Sequence, residues 1–390
     1  MRQLAKITDG LIGQPMFNIL AKAQEMERAG RNIIHFEIGD PNFDSPPHAI
    51  SAVKAALDNN LTHYTNSMGM FEFRESIVDY VEKNWAFRPN INQILVAPAN
   101  SIIDFVIRCI VNTGEEVIYP DPGFPTYYSV INYNGMIPIG IKLHEENNFR
   151  MNPEDIRSNI SDKTKLIIIN SPQNPTGSVM TENEIMEIAK IAEERGIYLF
   201  SDEIYAQIIY KNKHASPSSI DQCRERTIIN YSLSKIYSMS GWRLGFAIGP
   251  ENLITKMGLL FQTIFSCLPP FLQVGGIAAL LGKDSFLIER TSILEKRRNI
   301  LITGLNTLPK ISCKIPEGAF YAFANIKETK MDGFQFCKMM LEKTGVCLCP
   351  GECFGEFGKG YVRLSYANVE TSFIDVAIEK MRNVLDSNIF

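Results

Sequence analysis

Apolar and polar positions divide this chain into strands and amphipathic helices that alternate along most of its length. Ile34, Phe36 and Ile38 alternate with His35 and Glu37, which predicts a half-buried strand. Short apolar runs predict further strands at 94–97, 117–119, 165–170 and 227–231, and one from Ile197 that ends in Ser201-Asp202-Glu203. The run Lys165–Asn170 is apolar almost throughout, as in a strand buried on both faces of a parallel sheet.

Helical spacing appears between these runs. Ile19, Leu20, Ala23 and Met26 share a face within residues 1–30, and Gly30 is a natural stop. Thr181-x-x-Glu184 is a capping box, and Ile185, Ile188, Ala189 and Ala192 form the buried face of the helix it opens. Further helices are predicted at 47–58, 71–84, 102–111, 253–265, 271–281 and 285–308. The last hundred residues read as α+β, with strands at 318–323 and 361–366 and helices near 333–343 and 370–385.

Composition narrows the class. The 390 residues are 45% hydrophobic and 21% charged, enough for one large domain and a smaller one. Net charge is −4 with no basic stripe, which argues against nucleic acid or an anionic membrane surface as partner. The short basic run Lys296-Arg-Arg298 reads as a solvated helix face. Arg2, Lys6 and Asp9 interrupt the first ten residues, so no signal core is expected there, and no run approaches a membrane span. The eight cysteines form no CxxC pair. Cys347, Cys349 and Cys353 have no nearby histidine and the wrong spacing for zinc, so no metal is expected. Eight reduced thiols in a cytoplasmic protein are the expectation.

The chemistry centres on Tyr231-Ser-Leu-Ser-Lys235, just past a buried strand. A lysine held at a strand end is partly desolvated, which leaves more free amine to attack a carbonyl carbon. Ser232, Ser234 and Arg243 supply short donors and a forked cation suited to phosphate. A Schiff-base lysine beside a phosphate clamp points to pyridoxal phosphate. Asp202 ends its strand where open α/β sheets bind ligands, and a buried Asp requires a cationic partner. Otherwise it is a helix N-cap. Pro98-Ala-Asn-Ser101, between a strand and a helix start, is a ready anion site.

Ser232-x-Ser234-Lys235 followed by Gly241-Trp-Arg243-x-Gly-Phe246 resembles the lysine motif of the class I aminotransferases, the fold-type I pyridoxal-phosphate enzymes related to aspartate aminotransferase. Asn174-Pro-Thr-Gly177, Ser201-Asp-Glu-x-Tyr205 and Val362-Arg-Leu-Ser365 are similar to further signatures of that family, in its order. The resemblance implies a large α/β domain with a mostly parallel seven-stranded sheet and a smaller α+β domain. The expected division is an N-terminal arm and part of the small domain at 1–45, a cofactor domain at 46–284 and a C-terminal small domain at 285–390.

It implies roles as well. Lys235 would be the catalytic residue, holding the cofactor as an internal aldimine in a ping-pong transfer from an L-amino acid to a 2-oxo acid. Asp202 would face the pyridine nitrogen, Asn174 and Tyr205 the 3′-oxygen, and Phe124 the ring face. Ala99, Asn100, Ser232, Ser234 and Arg243 would hold the phosphate. Asn174 and Arg363 would take the substrate carboxylate, with the Gly39 backbone against the substrate. The Asn174–Pro175 bond is usually cis in the family. Pro98 and Ala99 stand where the family has a glycine pair or Gly-Ala, so the turn is stiffer. Tyr64 would reach the phosphate of a neighbouring subunit's cofactor, which implies a homodimer.

Taken alone, Phe124 is a core phenylalanine, Tyr64 a loop tyrosine and Arg363 an edge-strand arginine. A carbon–sulfur β-lyase, or another non-transaminating pyridoxal-phosphate enzyme of the same fold, shares the same electron sink and stays open beside the aminotransferase. A ligand-sensing regulator would carry an N-terminal DNA-binding domain, for which no room is expected before the arm helix. Apolar residues at Met16-Phe17 and Phe261–Cys267, near the expected substrate wall, hint at neutral or aromatic amino acids.

Overall fold

The computed structural model describes residues 4–85, 87–211 and 213–387; Arg2 lies outside them. The strands, in chain order, are β1 (Ile34–His35), β2 (Ile94–Val96), β3 (Glu116–Asp121), β4 (Ile137–Lys142), β5 (Thr164–Asn170), β6 (Tyr198–Asp202) and β7 (Thr227–Ser232). There follow β8 (Gly245–Ile248), β9 (Ser312–Cys313), β10 (Tyr321–Asn325), β11 (Val346–Cys347), β12 (Cys349–Pro350) and β13 (Tyr361–Ser365).

Seven of them form one sheet in the order β2-β8-β7-β6-β5-β3-β4. The pairs from β7 across to β4 are parallel, and β8 runs antiparallel to both β7 and β2. The mostly parallel seven-stranded α/β fold is therefore present. β5, β6 and β7 are buried almost end to end, as both covered faces require. A second sheet, β12-β13-β10-β9, is formed late in the chain, and β1 pairs in parallel with β11. No single described helix is long and apolar enough to cross a membrane.

This topology positions the site. β2, β3, β5, β6 and β7 share one direction, so their C-terminal ends lie along one edge of the sheet. β8 runs the other way, so its N-terminal end, next to Arg243, joins that edge.

The helices fall close to expectation. The Thr181 capping box is formed in both directions, and Gly196 ends that helix with φ of 64°. The helix expected at 102–111 starts earlier, at Ala99, because Pro98 supplies a fixed φ at its N-cap. β4 escaped prediction because it is a half-exposed edge strand interrupted by Pro138 and Gly140. The helices Pro125–Tyr133 and Pro153–Asn159 are additional to those predicted. The strand expected at 318–323 begins only at Tyr321, since Ala319 turns the chain with φ of 53°.

Two polarity expectations fail. The alternation at 34–38 treats Glu37 as the polar face of a half-buried strand, yet Glu37 is fully buried, ion-paired to His35. Arg297 and Arg298 are not a solvated face; only Lys296 is exposed. Arg297 donates to Asn42 Oδ1 (2.9 Å) and the Ala367 carbonyl (2.8 Å), while Arg298 donates to the Pro316 carbonyl and stacks on Tyr210 at 4.3 Å. Buried carbonyls need donors, and a guanidinium supplies several at once. All eight cysteines are free thiols, six of them buried.

Candidate active site

A cavity of about 430 Å³ opens where the C-terminal strand ends meet the second sheet. Lys235 reaches it three residues beyond β7, held by a hydrogen bond from Nζ to the Gly39 carbonyl at 2.8 Å. Burial lowers the amine from its usual value to about 8; Asp40 opposes the shift, and the Arg363 and Arg243 guanidiniums add to it. Ser232 and Ser234 line the same cavity, and the Ser234 N–H donates to the Ser232 hydroxyl at 3.1 Å. Arg243 also lines it, in left-handed backbone with φ of 58°. Its Nη1 donates to the Ser240 carbonyl at 2.7 Å.

Ala99 and Asn100 open a 12-residue helix toward this space, with no side chain capping its first N–H groups. Its unpaired N–H groups and positive dipole end suit an anion. Ser101 does not line the cavity; its N–H turns back to the Pro98 carbonyl at 2.9 Å. Gly245 is required beside it, because a Cβ there would crowd the Tyr231 and Ala97 carbonyls at 2.7 and 3.0 Å.

Asp202 is buried at the end of β6. Its carboxylate accepts from the Tyr127 hydroxyl and from Asn230 Nδ2 at 3.1 Å. Burial still pushes the carboxyl up to about 6, against the pull of those donors. An anion this desolvated, bonded only to neutral donors, fits a cationic ligand group. It is no N-cap: its strand ends in turns, not in a helix. Tyr205, three residues on, lines the cavity and shares a 2.7 Å hydrogen bond with Tyr321.

Arg363 lies in β13, an interior strand, and is almost completely buried, so the edge-strand reading fails. Nη1 donates to Asn174 Oδ1 at 3.1 Å, and Nη2 to the Glu37 carbonyl. The guanidinium lies 4.7 Å from the Tyr321 ring and 4.6 Å from Phe354, and its Nε is buried with no partner. The Asn174–Pro175 bond is cis. Gly39 lines the cavity against Tyr321, whose hydroxyl any Cβ at that position would strike. Phe124 also faces the cavity, and Met16 and Phe17 form part of its wall with Leu20 and Ile38.

Tyr64, expected at a neighbouring subunit's site, is 89% exposed and does not line its own chain's cavity. Phe261 is buried against Phe105 and Phe265, because the helical face that carries it points inward, and the 261–267 segment does not line the cavity. Residue patterns missed Tyr127, Asn230 and Tyr321. Tyr127 had one local signal, its place in the same Pro-fixed segment as Phe124; the other two are known only through their contacts.

Fold and site together define a pyridoxal-phosphate enzyme of fold type I: a lowered lysine amine, two guanidiniums and an uncapped helix start share one cavity, while Asp202 is buried at the end of β6 and does not line it. The family model for "aminotransferase class I and II" matches residues 31–381. An aspartate aminotransferase of Pyrococcus horikoshii is 37% identical over 372 residues, covering 94% of this chain and 95% of the relative. Aromatic-amino-acid aminotransferase 2 of Thermococcus litoralis is 34% identical over 94% of this chain and 95% of its own length. The structure of aspartate aminotransferase from Thermus thermophilus with maleate superposes with a TM-score of 0.94 at 28% identity, over 99% of this chain and all of that one. The chain belongs to the class I and II aminotransferase family. It is a transaminase that depends on pyridoxal phosphate, within the aspartate aminotransferase-like group.

Proposed function

We propose that this cavity holds pyridoxal phosphate and the amino acid together, with Lys235 as the catalytic residue. The observation that carries the reading is the cavity shared by Lys235, Arg243 and Arg363, with Asp202 buried at the end of β6, the strand paired with β7. Arg243, Ser232, Ser234 and the helix start at Ala99 and Asn100 would hold the phosphate, each offering a donor or a positive end. Asp202 would sit at the pyridine nitrogen, Asn174 and Tyr205 at the 3′-oxygen, and Phe124 against the ring. When bound, the cofactor supplies an aldehyde for the amine and a ring that withdraws electrons from the α-carbon.

Arg363 would grip the α-carboxylate through both Nη atoms, with Asn174 beside it and the Gly39 backbone below the substrate. Lys235 Nζ, with its lowered basicity, would take the proton from the α-carbon and return it as general acid. Replacing Arg363 with Lys should raise KM for the donor by about 10- to 100-fold, the loss of one charged hydrogen bond, with kcat changed less. An unchanged KM would remove Arg363 from the carboxylate site.

The wall formed by Met16, Phe17, Leu20 and Ile38 favours a donor with a neutral apolar side chain, and Asp40 at the cavity rim disfavours an acidic one. The names of most relatives favour aspartate instead. The same kinetics, run with phenylalanine and aspartate, decide between them: faster reaction with aspartate would sink the apolar reading.

Tyr64, exposed on its own chain, is proposed to complete the phosphate site of a second copy in a homodimer. Sedimentation should give twice 44.0 kDa. Tyr64→Phe should weaken cofactor binding about tenfold, the worth of a lost hydrogen bond. A monomer with full activity would refute both. Residues 1–45 with 285–390 are proposed as the small domain around 46–284, since the seven-stranded sheet lies within the middle span. Limited proteolysis that cut within 46–284 before its borders would argue otherwise. The eight free thiols suit the cytoplasm, and recovery of the enzyme from a secreted fraction would contradict that placement.

A further inference from the structure

The buried ion pair behind the carboxylate site has no place in the mechanism above. His35 and Glu37 lie on the segment that runs from β1 into the cavity at Gly39. Its backbone is fixed on both sides. Phe36 N–H donates to the Cys347 carbonyl at 2.9 Å, and the Phe36 carbonyl accepts from Ser365 N–H at 2.8 Å. The next carbonyl, that of Glu37, accepts from Arg363 Nη2, and that of Gly39 accepts from Lys235 Nζ at 2.8 Å. One short segment thus holds both cations that the proposed function assigns to the amino acid.

The Glu37 side chain is fully buried, and its Oε1 lies 2.7 Å from His35 Nδ1. Its other oxygen is buried without a hydrogen-bond partner. His35 Nε2 lies 3.0 Å from Glu27 Oε1, on the helix Met16–Arg28, and the imidazole is 20% exposed. The other titratable groups facing the carboxylate are the Cys347 and Cys349 thiols of the adjacent strands. A buried carboxylate without a cation is strongly disfavoured. Here the cation is a histidine that touches both water and the core.

We infer that His35 and Glu37 are positioning residues: a proton on His35 anchors the Glu37 side chain, which holds the Glu37 carbonyl on Arg363 and so sets the grip on the α-carboxylate. The bond to Glu37, with smaller help from Glu27, raises the imidazole to about 9 against the effect of burial. In the folded protein the pair keeps its proton at neutral pH and loses it as pH rises through about 9; because that value lies above the unfolded 6.5, its contribution to stability is full below about pH 6.5 and is lost through about 9. The inference rests on the carboxylate role of Arg363.

The test is donor kinetics of the holoenzyme between about pH 7 and 10 for the wild type, His35→Gln and Glu37→Gln. The amine of the donor titrates equally in all three, so the ratio of KM values isolates the pair. The expected ratio of variant to wild type is about tenfold near neutral pH, falling toward one near pH 10, with kcat little changed. A ratio that stays constant with pH, or a loss confined to kcat, would overturn the inference. Histidine NMR of the protein without donor gives a readout independent of turnover: one of the five histidines should titrate near 9 and return to an ordinary value in Glu37→Gln. If every histidine titrates near 6.5, the anchor is absent, whether or not Glu37→Gln folds. Failure of Arg363→Lys to change KM would instead strike the underlying reading and leave the histidine titration standing.

Discussion

Lys235→Ala is expected to lose transamination by about 10⁴-fold or more, because the chain would lose its attacking amine and its proton carrier together. The amine sits near 8 rather than the usual 10.5, so at pH 7.5 roughly a quarter is free base, against roughly one part in a thousand for an ordinary lysine. That fraction is produced by burial and by two nearby guanidiniums, and no other described lysine lines the cavity. The visible absorption of bound cofactor should shift as its link to the protein is lost. Thermal stability should hold or rise, since the substitution removes a desolvated ammonium from beside two like charges. Turnover within tenfold of wild type would exclude Lys235 as the catalytic amine.

Asp202→Asn should carry the second-largest effect, about 10³-fold on kcat. The substitution removes the buried anion proposed to face a cationic ring nitrogen. It also turns an acceptor of two hydrogen bonds into a group that must face Tyr127 or Asn230 with a donor. The pH dependence has a definite sign. Without cofactor the carboxyl is held up at about 6, above the ordinary 3.8 of the unfolded chain. Between those values the folded state binds a proton that the unfolded state has lost, so this group's contribution to stability falls as pH rises through about 6. A bound cation reverses that loss. The rise in Tm on adding pyridoxal phosphate should therefore grow between about pH 5 and pH 7 in the wild type and stay flatter in Asp202→Asn. The same pH course in both proteins would mean that Asp202 does not meet the cofactor's charge.

Periodicity located most elements because the parallel strands are buried on both faces and the helices on one. It was silent where burial is partial, as in β4, or where a proline-fixed loop continues as a helix, as after Phe124. The candidate site was legible as a set of residue types at strand ends: a lysine after β7, a carboxylate closing β6, an arginine ahead of β8. Glu37, Arg297 and Arg298 were misjudged for a common reason. Charge in a sequence marks a preference for water, and that preference yields when a specific partner waits inside the fold. Phe261 was misplaced because a hydrophobic run does not say which neighbour it covers.

The sequence by itself determined the lysine motif, the strand and helix periods and the family signatures, all of which depend on neighbours within a few residues. Only the tertiary structure decided how Arg243, already in the lysine motif, enters the same cavity as Lys235, since that requires β8 to run against β7. It alone brought Arg363 from β13 to Asn174 and threaded the His35–Glu37 segment behind them. The latter contacts join residues 189 to 326 apart, and no local pattern encodes them because their energy exists only after the sheets have assembled.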